Sequence, residues 1–382
     1  MDNDVPTDEL QQVFDELSQE EAQEEASQKL ESSLLSDSDP EILREREREY
    51  RDDEKHWVRR NSWLKVAKEI ASDAREKHGR GLRYFTLPGF YRLDVSLLLK
   101  EKLLEVEFDA DGTTVRSAYV AAFESDPTKH GRMVGHLPEF RLFGLSNIED
   151  ALTVEANPYY SQLVELFPFD IINLDLTTSL TPAHEGPYSK TMKAIEAVFS
   201  RQAEYASKWA LFLTFRNVPS DWETQTLEQL FGELQRNLDQ YPKAHEVFRN
   251  TYSENTVSQL SSKAPERCIS QAVAKWLVDR ANSHNIRLNS MYCYSYQRYP
   301  LGIQPYLISK HVFTFSRGQV LPGNIPTKGT PRQSWMEDNV ITCIERHRCV
   351  DVEEKLYRLS ENVPGFLDQL RAEISELCHS IA

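Results

Sequence analysis

At 382 residues, with 40% hydrophobic, 10% aromatic and 27% charged side chains, the chain has the composition of a protein that buries a sizeable core rather than of a fibre or a membrane-integral protein. No run approaches the roughly 18 apolar residues that cross a bilayer. The net charge of -16 would repel a polyanion if it were spread evenly, but residues 1–55 carry 20 acidic against six basic side chains, so -14 of the total lies there. The rest of the chain is close to neutral and is free to present a basic face.

In chain order, Asp2 to about Asp53 is Glu, Gln, Ser and Asp with scattered leucines. Such a stretch cannot bury enough apolar surface to offset the entropy of ordering, and disorder is expected. Within it Leu10, Val13, Phe14 and Leu17 recur at helical spacing and offer a short amphipathic docking element. Glu41 to Lys77 has helical periodicity through Trp57, Leu64, Ala67, Ile70 and Ala71, and His78-Gly79-Arg80-Gly81 ends it. Strands are expected at 83–87, 118–123, 140–145, 169–174 and 209–215, with helices at 159–166, 187–206, 227–238 and 271–281. Strands alternating with helices imply a parallel sheet with right-handed crossovers. The alternating aromatic runs Met291–Tyr296 and Tyr306–Phe315 read as an antiparallel hairpin at the sheet edge. Gly318 to Pro331 reads as a linker or surface loop. Val350 to Ile381 is again helical by spacing and is expected to pack on the core or on a partner.

Five cysteines, Cys268, Cys293, Cys343, Cys349 and Cys378, are an odd number behind an N-terminus with no apolar leader, so reduced thiols in the cytoplasm are expected. Cys343 and Cys349 lack C-x-x-C spacing, and His184 and His311 have no partner at metal-ligand spacing. No metal site is expected.

In an open α/β sheet, ligands bind beyond the carboxyl ends of the strands. Four strand ends carry suitable chemistry. Thr86-Leu87-Pro88-Gly89 is a turn where backbone must approach a ligand closely. Glu124, in Phe123-Glu124-Ser125-Asp126, ends the second strand where an acid can accept hydrogen bonds from ribose hydroxyls. Ile148-Glu149-Asp150-Ala151 comes after the third strand, where an acid or backbone amide can meet a base; Asp150 is the candidate, and Glu149 beside it could equally be an exposed helix-cap acid. Asn173-Leu174-Asp175-Leu176 ends the fourth, where a catalytic pocket would open; the plain structural reading is that Asp175 caps the helix or loop after that strand. Tyr292, Tyr294, Tyr296, Arg298 and Tyr299 form a stripe that either stacks bases and holds phosphates or covers one sheet face. His130, Arg132, His136, Arg141, Arg346, His347 and Arg348 are candidates for positive surface.

Over about 230 residues this arrangement resembles the class I S-adenosylmethionine-dependent methyltransferases, which have a glycine loop, an acid ending the second strand, an Asp-Ala pair and a polar motif closing the fourth strand. The hairpin 291–315 looks like that family's reversed last strand. The run Phe169-Asp170-Ile171-Ile172-Asn173-Leu174-Asp175-Leu176-Thr177-Thr178-Ser179 is similar to the F-D-x-I-D-x-D-P-x-G-S motif of tRNA guanine-N2 dimethyltransferases. The resemblance implies a Rossmann-type sheet, mostly parallel with an antiparallel terminal hairpin, and S-adenosylmethionine as cofactor. It assigns cofactor contacts to Gly89, Glu124, Asp150 and Ala151, catalysis to Asp175 and Asn173, and nucleic-acid contacts to Tyr294, Tyr296 and Arg298.

The glycine loop has one glycine and no leading acid, and Leu176 and Thr178 stand where the dimethyltransferases have proline and glycine. A degenerate member acting as a subunit or scaffold is therefore expected, one that by analogy would suit a nucleic-acid-related or anti-phage complex. The acidic arm or the C-terminal helices would be its protein contacts. An active methyltransferase on a base amino group, or a Rossmann-type domain for another nucleotide, are the alternatives. The expected organisation is an acidic arm (1–55), a helical lead-in (56–82), the Rossmann-type domain (83–317), a linker (318–335) and a C-terminal helical segment (336–382).

Overall fold

The computed structural model describes residues 52–89, 92–112, 114–134, 139–176, 178–183, 185, 188–298, 305–318, 331–347 and 349–379. The acidic run to Arg51, with its amphipathic stretch, lies outside them, as do His136, His184, Tyr299, Arg348 and most of the expected linker.

The lead-in is α1 (Asp53–Val58), a π-helical turn (Arg59–Trp63) and α2 (Leu64–His78). Gly79 ends α2 at φ 65, the left-handed conformation that costs a residue without Cβ least. Then come β1 (Tyr84–Thr86), α3 (Leu93–Lys100), β2 (Val106–Phe108), β3 (Val115–Glu124), α4 (Pro127–Val134), β4 (Glu139–Leu145), α5 (Ile148–Thr153), α6 (Tyr160–Leu166), β5 (Ile171–Asp175), α7 (Lys190–Gln202) and β6 (Trp209–Arg216). The second half holds α8 (Thr224–Gln240), α9 (Pro242–Tyr252), α10 (Val257–Lys263), α11 (Pro265–Ser283), β7 (Ile286–Arg298), β8 (Tyr306–Arg317), α12 (Pro331–Arg346), β9 (Cys349–Asp351), α13 (Val352–Asn362) and α14 (Phe366–His379).

Among the described residues, nine strands form one mixed sheet. Its main path is β2-β3-β1-β5-β6-β8-β7-β9, with β4 pairing β3 as well. The pairs β4–β3, β3–β1, β1–β5, β5–β6 and β7–β9 are parallel. The pairs β2–β3, β6–β8 and β8–β7 are antiparallel. From β1 the chain therefore builds outward through β3 and β4 on one side, then returns and builds through β5 and β6 on the other.

Helices cover both faces. On one face α5 to α12 pack around Phe85, Phe169, Trp209, Phe215, Phe313 and Phe315. On the other, the lead-in, α3, α13 and α14 pack around Tyr84, Ile171, Phe212 and Val312. Burial on both faces explains why β6, Trp-Ala-Leu-Phe-Leu-Thr-Phe-Arg, is apolar without alternation.

Three expectations need correction. The aromatic hairpin is not the sheet edge: β8 inserts between β6 and β7, and the short β9 pairs beyond β7. The three-residue strands β2 and β9 are not among the expected elements, because each is a short run of mixed polarity with no readable periodicity, whereas the equally short β1 is wholly buried and apolar enough to be read. The arm boundary at residue 55 also falls inside α1, where Asp53 is buried and takes both Nε and Nη2 of Arg371 on α14, at 3.0 and 2.7 Å. The apolar stripe of α13 and α14, Val352, Leu356, Leu370, Ile374 and Leu377, is buried within the chain, on the lead-in side of the sheet.

Candidate functional site

Because β1, β3, β4 and β5 are mutually parallel, their carboxyl ends lie along one edge of the sheet. A cavity of about 320 Å³ opens there, lined among others by Leu87-Pro88-Gly89 after β1, Phe123-Glu124-Ser125 after β3, Ser146 to Glu149 after β4, and Asp175 and Leu176 after β5. Small-molecule sites run from about 300 to 1,000 Å³. Lys55, Lys129, Thr214, Tyr296 and Arg298 close its sides. Thr214 Oγ1 is buried and unpartnered among the described residues.

The four rim positions picked from the sequence do not all reach this space. Gly89, Glu124 and Asp175 line it. Glu124 Oε1 accepts the Asp126 N–H at 2.9 Å, which fixes the carboxylate at the strand end. Asp150 turns away toward Lys190 at 3.4 Å, and Ala151 is fully buried in the core, so the helical acid after β4 that faces the cavity is Glu149. Glu149 Oε1 accepts the Thr191 hydroxyl at 2.8 Å.

Asn173 sits one step below the rim. Side chains alternate along a strand, so Asn173 and Asp175 share a face of β5 with the deeper residue covered. Its amide donates to Tyr84 Oη at 3.0 Å, to Thr86 Oγ1 at 3.3 Å and to Asp94 Oδ2 at 3.1 Å. Tyr84 and Thr86 donate to the same Asp94 oxygen. This network ties β5 to β1 and α3 beneath the cavity. Asp170 lies at the other end of β5, fully buried, and accepts from Arg80 Nη1 at 2.5 Å, the Arg83 amide at 2.7 Å and the Tyr205 hydroxyl.

Asp175 is dominated by two lysines far from it in sequence. Lys55 of α1 reaches it at 2.6 Å. Burial alone would push the Asp175 carboxyl up, but the ammonium groups of Lys55 and Lys310 outweigh it and hold the acid well below the usual carboxylate range. Lys310 on β8 is fully buried, its Nζ 4.8 Å from the Trp63 ring centroid and 5.3 Å from that of Tyr296, with no hydrogen-bond partner among the described residues. Burial lowers its pKa to about 7, against the attraction of Asp175. A lysine inside the apolar run of β8 was the available sequence signal, since an unbroken buried strand leaves a lysine no route to water.

The tyrosine stripe shares one face of β7. Tyr294 is buried edge-on against Trp57, with centroids 6.2 Å apart, so its ring is not open to a base. Tyr296 and Arg298 reach the cavity wall, and Tyr292 is exposed. Of the residues expected to add positive surface, Arg141 pairs with Glu107. His347 is completely buried, and folding gathers Cys293, His311 and His347 so that one ligand-type atom of each lies within 4.8 Å of the others. None is near another in sequence, which is why spacing gave no sign of them.

The fold and cavity define an α/β protein with a mixed nine-stranded sheet and a polar site at the ends of its parallel strands. The chain belongs to the PP_RS20740-like family, whose family model matches residues 53–112 and 143–362. Those segments include Lys55, Gly89, Asp175, Lys310 and the Cys/His cluster; Glu124 falls between them. No curated protein matches the chain. No helix among the described residues is long and apolar enough to cross a membrane.

Proposed function

We propose that this is a Rossmann-type, methyltransferase-like domain that binds an adenosyl nucleoside at the carboxyl edge of its sheet and serves as a binding or scaffold subunit. What supports the fold reading is the strand order. Counting only β1, β3, β4, β5 and β6, the sheet runs third-second-first-fourth-fifth, the doubly wound order whose ligand lies where the build direction reverses. The cavity lies at that reversal, between the ends of β1 and β5.

The residues fit the nucleoside part of S-adenosylmethionine. Glu124 is a carboxylate for the ribose diol, the turn after β4 from Ser146 to Glu149 lines a slot for a base, and Thr214 Oγ1 is a buried hydroxyl without a partner among the described residues. When bound, that cofactor supplies an activated methyl group. The chain's own contribution would be to hold the ribose through Glu124 and to exclude water with Leu87, Ile148 and Leu176.

The observation that carries the scaffold reading is the Lys55–Asp175 ion pair at 2.6 Å. It occupies the position where an acceptor amine would need a free carboxylate. An acid already paired with an ammonium, with Lys310 behind it, is a poor base, and a lysine beside the cavity disfavours a sulfonium.

The test is calorimetric titration of S-adenosylmethionine and S-adenosylhomocysteine into the wild type and Glu124→Ala, with methyl-transfer assays on DNA and RNA for the wild type and Lys55→Ala. Binding to the wild type should weaken about tenfold or more in Glu124→Ala, the loss expected for hydrogen bonds to a charged group. The wild type should show no turnover. Silence of both nucleosides would end the nucleoside reading, and turnover by the wild type would make the protein an enzyme instead.

A further inference from the structure

The sheet register sets three ligand-type side chains in one row. His311 on β8 is the direct partner of Cys293 on β7, and Cys293 is in turn the direct partner of Cys349 on β9. Directly paired residues on adjacent strands point to the same face. His347, two residues before Cys349, approaches from the turn after α12. Cys293, His311 and His347 are all buried, and Cys349 is partly so.

We propose that Cys293, His311 and His347, completed by Cys349, form a structural site for a single divalent transition-metal ion of the zinc class. The three buried residues each offer one donor atom within 4.8 Å of the others. Cys349 Sγ, 3.0 Å from Cys293 Sγ, lies outside that mutually close group and would close in as the fourth ligand when the ion binds. Two sulfurs and two imidazoles are the donor set of tetrahedral structural zinc. Two thiolates would also neutralise a divalent ion, so the assembled centre carries no net charge and tolerates a fully buried position.

The surroundings orient the His347 ring as a ligand. Tyr252 donates its hydroxyl to Gln271 Oε1 at 2.5 Å, so toward His347 Nδ1, at 3.0 Å, it acts as acceptor. That contact holds the proton on Nδ1 and leaves the Nε2 lone pair facing the cluster, the outer-shell arrangement that fixes metal-bound histidine. His311 Nδ1 has no hydrogen-bond partner among the described residues, so none of them locks that ring in the opposite tautomer. Ser270 Oγ lies 2.8 Å from the Nε2 atoms of both rings, yet its single proton serves only one of them.

The ion would act as a rivet. It would join β7, β8, β9 and the end of α12 on the sheet face opposite Lys310, because His311 and Lys310 are consecutive on β8 and point to opposite faces. The site is independent of the proposed nucleoside binding.

The test uses the full chain, stripped of metal with chelator and reloaded with zinc, with metal counted by elemental analysis. Cobalt(II) substitution then reads the ligands directly, through the thiolate-to-cobalt charge-transfer band and the intense visible bands of tetrahedral cobalt. One equivalent of metal is expected, with the charge-transfer band reduced in Cys349→Ser and metal lost in Cys293→Ala and His347→Gln. Tyr252→Phe keeps every ligand and the packing, and should weaken metal affinity about tenfold or more while circular dichroism is unchanged. The variant thus tests the site even if ligand substitutions fail to fold. Wild-type protein that is folded yet still metal-free after zinc loading would overturn the proposal. So would a Cys293–Cys349 disulfide in the freshly isolated chain, or unaltered cobalt spectra in folded Cys293→Ala.

Discussion

Lys310→Met isolates the cost of one buried charge beneath the cavity. The folded pKa of Lys310 is about 7 against an ordinary 10.5, lowered chiefly by burial. The attraction of Asp175 and the repulsion of Lys55 are already included in that net shift. At pH 7 the folded lysine is about half ionised and the unfolded one fully so. With 1.36 kcal/mol per pKa unit, holding it buried costs on the order of 4 kcal/mol. Methionine keeps the length and the apolar stem, and its thioether needs no hydrogen bond where Nζ has none among the described residues. The variant should therefore be more stable by up to roughly that amount.

The sign is set by proton counting. The folded pKa lies below the unfolded one, so between pH 7 and 10.5 the unfolded chain binds the extra proton and stability rises with pH. That contribution is complete above the unfolded pKa and is lost as pH falls through the folded one. Urea unfolding of both proteins across this window reads the effect, provided the slope with denaturant is unchanged. Equal pH slopes for wild type and variant, or a less stable variant, would refute the reasoning.

The same structure sets four other outcomes. Lys55→Ala strands Asp175 with one partner fewer and should cost about 3 kcal/mol at neutral pH, by denaturant unfolding. Because the Asp175 pKa is held below its ordinary 3.8, the stability that the acid contributes is present above that value and disappears in acid. Asp170→Asn replaces a fully buried acceptor of three donors and should destabilise by about 3 to 5 kcal/mol without changing nucleoside affinity. In Gly81→Ala the new methyl group would meet the Leu104 carbonyl and the Glu105 amide, backbone atoms that cannot rotate away, so a loss of about 1 to 3 kcal/mol or more is expected in a thermal melt.

Periodicity made the α/β character legible. Trp209 to Phe215 reads as a doubly covered strand, and the structure has β6 over Trp209–Arg216. Gly89, Glu124 and Asp175 could be picked out because the residue closing a buried strand stands at the sheet's carboxyl edge whatever the rest of the fold does. Local sequence could not decide between neighbours on a helix: Asp150 and Glu149 differ only by the roughly 100° turn between successive helical residues, and packing of Ala151 into the core sets which acid faces the cavity. Nor could it expose Lys55, which stands 120 residues before the acid it neutralises.

The sequence by itself determined where the longer strands and several of the helices lie, since that depends on side-chain spacing along one stretch of chain. Only the tertiary structure decided that β8 lies between β6 and β7, that Lys55 pairs with Asp175 with the charge of Lys310 in reach, and that Cys293, His311 and His347 share one buried space. Those facts depend on sheet order and register, which are set by the packing of elements far apart in the chain.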